Sequence, residues 1–300
     1  MIKNIRLFAG ATLLMVAFSS CYKNEFGVVD LTMPEDNPGT VAGEYVYNHP
    51  CAMYNEADFT RVKKMLDDGT APVMVKTELA NLKNSPYTSL TYTPSPQEEI
   101  VRGEATGTIP GKENYSYAMK DAAAAYQTAL LWKLTGDVKY ADLSVKILNA
   151  WADVCKRITS NDANQMLAAG CQGYTFANAA EIMQTYEGWS ANDIADFKTW
   201  IVNVFASKNK DFLDNHQGTN NCSLHYWSNW DLVNMCSYLA IGILTENNDM
   251  VNFVVNYFYS GVGNGCISNL IQATFDDPLG SGEQISQNQE SGRDQGHACM

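Results

Sequence analysis

From Tyr117 to Tyr259 the apolar residues return at helical spacing, in runs of roughly ten to twenty residues separated by short polar turns. Long amphipathic helices joined by short turns pack as antiparallel neighbours, so a chain of this kind folds as successive helix pairs. One helix is expected over Tyr117–Leu134, turned at Gly136-Asp137. The next carries Tyr140, Leu143, Ile147, Trp151, Val154 and Ile158 on one side. A third is expected over 165–186. A fourth, capped by Ser190-Ala-Asn-Asp193, buries Ile194, Phe197, Ile201, Val204 and Phe205. A fifth spans about 224–244 and a sixth about 250–259. Upstream, Asn55-Glu-Ala-Asp58 caps a helix with Phe59, Val62, Met65 and Leu66 that closes at Gly69, and a short helix follows over about 72–82. Residues 84–113, with Pro86, Pro94, Pro96 and Pro110, read as a long loop. Strand-like alternation is scarce and no fixed-period repeat is visible. The fold class is therefore all-α, and paired helices without a solenoid period point to an α/α toroid.

The first 21 residues stand apart. Lys3 and Arg6 precede an apolar run from Leu7 to Phe18, and Ser19-Ser20-Cys21 follows. That is the order of a secretory signal, and a cysteine after two small residues resembles a bacterial lipobox. Lipid attachment at Cys21 and residence in the periplasm or at the outer-membrane surface are expected. Residues 22–45 are polar, with Pro34 and Pro38, and read as a flexible tether; the domain is expected to occupy 46–300. Of eight cysteines, seven remain if Cys21 carries lipid, so one at least is unpaired. Cys155 and Cys236 fall on apolar helical faces and are expected in the core.

No zinc-spaced Cys/His cluster, HExxH, phosphate loop, GxSxG or dinucleotide fingerprint is present. No metal or cofactor is expected. A net charge of −13 excludes the basic footprint of a nucleic-acid binder.

Two polar segments interrupt the apolar pattern. The first runs from Gly218 to Asp231, Gly-Thr-Asn-Asn-Cys-Ser-Leu-His-Tyr-Trp-Ser-Asn-Trp-Asp. On a helix its Asn221, His225 and Asn229 would form one polar stripe, flanked by Trp227 and Trp230. Asparagine near a helix start also serves as a cap. The second segment is Gln287-Asn-Gln-Glu-Ser-Gly-Arg-Asp-Gln-Gly-His297, in which Gln289, Arg293 and His297 share the same spacing if helical. Gly292 and Gly296 leave a turn equally open. His49 and His216 lack such neighbours and read as structural.

These two segments, together with His49-Pro50, the Glu56-to-Leu66 helix and Tyr117 through Trp151, resemble the alginate-lyase superfamily of bacterial polysaccharide lyases. Glu290-Ser-Gly-Arg-Asp-Gln-Gly-His297 is the most specific piece. The resemblance implies an incomplete α/α toroid whose cleft takes an acidic polysaccharide, and β-elimination at a uronic acid. It marks Asn229 or Asn221, His225, Arg293 and His297 as catalytic residues. Substrate contacts are expected from Tyr226, Trp227, Trp230, Gln289, Glu290 and Gln295. Family members use a tyrosine as acid; no tyrosine follows Arg293, which leaves Tyr226, Tyr174, Tyr117 or a tyrosine beyond residue 300. The chain ends at Met300, just after the motif, and continuation past that point is expected.

Elimination removes a proton alpha to an ionised carboxylate. The carboxylate charge must therefore be neutralised by amides and a cation, and a neutral imidazole suits the base. His225 is the first choice and His297 the second. Since the overall field repels a uronate polymer, a locally cationic cleft is required. Two rivals remain. A toroidal glycoside hydrolase would need two carboxyls about 5–10 Å apart, drawn from Glu290, Asp294 and Asp231. A lipid-anchored glycan-binding protein would use the tryptophans alone.

Overall fold

The computed structural model describes residues 42–103, 113–216, 224–276, 278, 280, 282, 284–288 and 290. Helix α1 (Glu56–Asp67) starts as the sequence predicts, with a reciprocal capping box. Asp58 N donates to Asn55 Oδ1 at 3.0 Å and Asn55 N to Asp58 Oδ2 at 3.2 Å. Helix α2 (Val73–Lys83) leads into the proline-rich loop. That loop is not featureless: it contains strand β1 (Glu99–Val101), which pairs in parallel with β2 (Arg157–Thr159). Its preceding stretch is tied down by Asp121, only 2% exposed, which accepts from Tyr92 OH at 2.6 Å, Ser95 N at 2.7 Å and Trp151 Nε1 at 2.7 Å.

Asp121 belongs to α3 (Tyr115–Thr135), whose buried alanines Ala118, Ala122, Ala124, Ala125 and Ala129 let neighbouring helices approach closely. Gly136 ends it in the left-handed region, φ 74°, a position that favours glycine. Helix α4 (Val138–Val154) follows and buries Leu143, Ile147 and Trp151. It stops four residues short of Ile158. Cys155 turns extended, its carbonyl accepts from Trp200 Nε1 at 2.7 Å, and Ile158 is buried from β2. Val154 is 37% exposed rather than on the buried side.

Helix α5 (Asn164–Met183) is buried almost all round, as expected of a central helix. Helix α6 (Ala191–Ile201), capped by Ser190 Oγ, runs through a π-helical turn at Val202–Ala206 into α7 (Ser207–Asn215). Rings of Trp151, Phe176, Trp200 and Phe205 pack edge-on or tilted at 5.2–6.0 Å in the core between α4, α5 and this helix. Helix α8 (Ser228–Leu244) crosses α5 at glycines: a Cβ on Gly173 would lie 2.4 Å from Ser237 Oγ, and one on Gly170 2.7 Å from Val233 Cγ1. Glu181 near the end of α5 and Glu246 just past the end of α8 grip the two ring nitrogens of His49, at 2.7 and 3.1 Å, so α5 and α8 run in the same direction.

Helix α9 (Asn248–Ser260) returns antiparallel and holds the chain's N-terminal arm. Tyr47 OH donates to Asn248 Oδ1 at 2.8 Å, and Gly43 N and Tyr45 OH donate to Asn252 Oδ1 at 2.9 Å. The final part of the segment expected to be a tether is thus hydrogen-bonded to the domain; residues 1–41 lie outside the described residues. A short α10 (Ile267–Leu270) precedes an antiparallel hairpin of β3 (Ile271–Asp276) and β4 (Gln284–Asn288). Among the described residues no helix is long and apolar enough to cross a membrane. The cysteine expectation divides: Cys155 is buried in the core, whereas Cys236 is exposed on α8. Cys236 stands close to Tyr174 of α5 but is not covered by it.

Candidate active site

The site is built around the N-terminus of α8, and its first feature corrects the sequence reading. The helix begins at Ser228, not 224, because Trp227 is extended, with φ −65° and ψ 154°. His225 therefore lies in the turn before the helix and shares no helical stripe with Asn229. The turn is fixed instead by Asn264, whose Nδ2 donates to the carbonyls of Leu224 at 3.1 Å and Tyr226 at 2.6 Å. His225 is exposed and stands edge-on to Tyr226, centroids 4.9 Å apart. Tyr226 is buried against Phe212 and Trp230, at 5.1 and 4.8 Å. Trp230 spends its face on that packing, whereas Trp227 is 40% exposed.

The first N–H groups of a helix lack intrahelical partners and carry the positive end of its dipole. No side chain of Trp227 caps α8. The partner comes from the second polar segment. Glu290, 2% exposed, accepts from Asn229 N at 3.0 Å and from Ser228 Oγ at 3.3 Å through Oε1. Its own N–H donates to Asn288 Oδ1 at 2.8 Å, which sets the turn after β4. The two segments singled out in the sequence therefore do meet, through a buried carboxylate at a helix start. The same contact makes Glu290 an anchor for the turn and removes it from the surface a substrate would touch. Gln287 and Asn288 lie in a strand, so a helix through this segment cannot begin before residue 289.

Asn229 is half-buried, yet its Oδ1 is inaccessible and has no hydrogen-bond partner among the described residues. Thr159, Gln172 and Asn209 also carry such an atom; native proteins hold a few per hundred residues.

Beneath this surface sits a constellation that sequence reasoning missed. Asp231, fully buried in the first turn of α8, accepts at Oδ1 from Tyr257 OH at 3.0 Å and pairs with His216 Nε2 at 2.8 Å. Its Oδ2 accepts from Gly265 N at 3.0 Å. Burial, then the Asp231 charge, push the Tyr257 hydroxyl far above its ordinary range, so it stays protonated. His216 caps the end of α7 at φ 44° and opens the 217–223 segment. His216, without comparable neighbours in the sequence, is thus packed with Asp231 and Tyr257 under α8. No local spacing links residues 216, 231 and 257. Neither Asp231 nor Glu290 is free to act as a hydrolase carboxyl.

Of the tyrosines considered as acid, Tyr117 is 45% exposed at the start of α3. Tyr174 is half-buried on α5, donates to Met53 Sδ at 2.8 Å, and is pushed up to about 12 by burial, then by Cys236 and Tyr54. Asn221, Gln289, Arg293, Gln295 and His297 lie outside the described residues, as does Asp294.

The comparisons with known proteins bear on this arrangement. The family described as alginate lyase matches residues 73–268. No curated protein matches. Among solved structures, alginate lyase A1-III from Sphingomonas species A1 superposes with a TM-score of 0.51 at 18% identity, over 67% of this chain and 57% of that one. A tyrosine-to-phenylalanine variant of A1-III, complexed with a tetrasaccharide, gives 0.51 at 16% identity over 70% and 61%. The chain thus spans about three-fifths of the length of the enzymes it resembles, with which it shares the α/α toroid fold. With the family match covering well over half of its residues, the chain belongs to the alginate lyase family.

Proposed function

We propose that this protein is a polysaccharide lyase that cleaves a uronate polymer of the alginate type by β-elimination, at a site formed by the turn before α8 and the segment after β4. The observation that carries the reading is the Glu290–Asn229 contact, which brings the two polar segments to one place.

In this reading the sugar carboxylate binds at the start of α8 beside Asn229, and the family resemblance adds Asn221 and Arg293 as the groups that offset its charge. His225, exposed in the turn before α8, takes the proton from C5. The electron pair forms the C4–C5 double bond, the C4–O bond breaks, and a tyrosine hydroxyl protonates the leaving oxygen. His297 is the second base candidate. Trp227 supplies a stacking face. Glu290 and the Asp231–His216–Tyr257 group position the turn and touch no substrate. With Asp231 and Glu290 both buried and bonded to protein donors, the geometry favours elimination over a two-carboxylate hydrolysis.

The test is incubation of the purified protein with alginate, glucuronan and a glycosaminoglycan. A lyase generates an unsaturated uronate end with strong ultraviolet absorbance. Depolymerisation without that absorbance would mean hydrolysis, and sugar binding without depolymerisation would mean a binding protein. The signal-like residues 1–21 support a lipid anchor at Cys21 and a place in the periplasm or at the outer-membrane surface. Metabolic labelling with a fatty acid, abolished by Cys21→Ser, tests that.

A further inference from the structure

A second cluster lies at the other end of α5 and α8. The 17 residues of α8 separate it from the candidate active site by roughly 25 Å. His49 and Cys51 come from the N-terminal arm and Glu181 from α5, and their ligand atoms all lie within 4.8 Å of one another. His49 Nδ1 is 2.7 Å from Glu181 Oε2 and 3.7 Å from Cys51 Sγ. The ring's other nitrogen, Nε2, is 3.1 Å from Glu246 Oε1.

That pairing constrains what sits between His49 and Glu181. With Nε2–H given to Glu246, Nδ1 presents a lone pair to a carboxylate oxygen, and two acceptors at contact distance require a positive centre between them. A metal ion fills that place and recruits the thiol as well.

We propose that His49 Nδ1, Cys51 Sγ and Glu181 Oε2 form a binding site for a divalent cation of the zinc class. Imidazole, thiolate and carboxylate together suit zinc and do not suit calcium or magnesium, which take oxygen ligands. The spacing fits. Nitrogen and sulfur ligands of one tetrahedral zinc lie about 3.6 Å apart, close to the His49–Cys51 separation. Nitrogen and oxygen ligands lie about 3.3 Å apart, so His49 and Glu181 open by about 0.6 Å. The outer contacts are those of a metal centre. Glu246 orients the imidazole, while Cys51 N at 2.6 Å and Gln184 Nε2 at 2.8 Å fix the Glu181 carboxylate. Three protein ligands leave one position for water. The ion would staple the N-terminal arm to α5, far from the chemistry at the start of α8.

The experiment uses the whole purified chain, reduced, stripped with a chelator and reloaded with zinc or cobalt(II). We expect one zinc per chain by elemental analysis and a rise in Tm on loading. Cobalt should give a thiolate charge-transfer band in the near ultraviolet. Cys51→Ala should abolish that band and weaken zinc at least about tenfold, while Cys236→Ala leaves both unchanged. Glu181→Gln should also weaken zinc; because it disturbs a buried anchor, Cys51→Ala, which keeps the backbone N–H to Glu181, carries the decision. Sub-stoichiometric zinc, a cobalt spectrum without the thiolate band, binding indifferent to Cys51→Ala, or Cys51 found in a disulfide would each overturn the site.

Discussion

Glu290 accepts a hydrogen bond from the backbone N–H of Asn229 at 3.0 Å across 61 residues of sequence. A helix start ordinarily finds its capping oxygen two or three residues before the N–H it accepts from. Here it comes from a distant turn, so the helix end and the second polar segment are held as one unit. The carboxylate is buried at the positive end of the helix dipole, and the residues around it inherit a fixed frame.

Removing that oxygen should therefore loosen both segments. Glu290→Ala is expected to lower stability by about 1–2 kcal/mol, the usual range for a lost cap, and to reduce activity with it. Glu290→Gln keeps an acceptor without the charge and should lose about half as much. Urea unfolding of the three proteins measures this. Equal stabilities would mean that the contact contributes nothing.

The α5–α8 crossing gives a packing prediction. Gly→Ala within a helix ordinarily gains up to about 1 kcal/mol. At Gly173 the new Cβ would meet Ser237 Oγ at 2.4 Å and Phe205 Cδ1 at 3.0 Å. Overpacking of that kind costs about 1–3 kcal/mol, so it wins, and Gly173→Ala should destabilise. Adding Ser237→Ala removes the nearer clash and should recover part of the loss. A Gly173→Ala protein more stable than the parent would show that the helices stand further apart.

How much of this was legible in the sequence follows from which forces act locally. The helices were, because burial stripes the chain at the helical period and Asn55, Ser190 and Gly136 mark ends by local chemistry. Ile158 was not, because an apolar residue seven positions after Trp151 fits a helix as well as it fits the three-residue strand it occupies. Three-residue strands carry no period to read. The site was half legible. Two polar segments in an apolar chain stood out, and Asn229 and Glu290 do meet. Their roles were hidden, since the false helical stripe through His225 depended on where α8 begins, which a carboxylate near the other end of the chain helps to fix. His216, Asp231 and Tyr257, like His49, Cys51 and Glu181, are assembled purely by tertiary packing, and spacing says nothing of them.

The buried group under α8 should behave as support. Asp231→Ala removes the carboxylate that His216, Tyr257 OH and Gly265 N–H share. Removing a buried charged partner costs about 3–5 kcal/mol. Tyr257→Phe deletes the hydroxyl's contacts with Asp231 and His216 and should cost about 1–2 kcal/mol. Activity should fall in proportion to the folded fraction for Tyr257→Phe, read by comparing specific activity with circular dichroism. A Tyr257→Phe enzyme that is fully folded but inactive would instead put Tyr257 in the chemistry.

His225 and Asn229 should show the opposite separation of stability from activity. His225 is exposed in a turn whose backbone is held by Asn264, so His225→Ala should shift stability by no more than about 0.5 kcal/mol. Losing the base should nevertheless lower kcat by about 10²–10⁴. Asn229 makes its backbone bond to Glu290 whatever its side chain, and its buried Oδ1 has no partner to lose. Asn229→Ala should thus leave Tm unchanged or raise it slightly, while removing one carboxylate-neutralising amide lowers kcat by about 10²–10³. Thermal unfolding and initial rates on the same preparations decide it. If Asn229→Ala loses stability and activity in step, the amide is packing, and carboxylate recognition must be sought elsewhere around the turn.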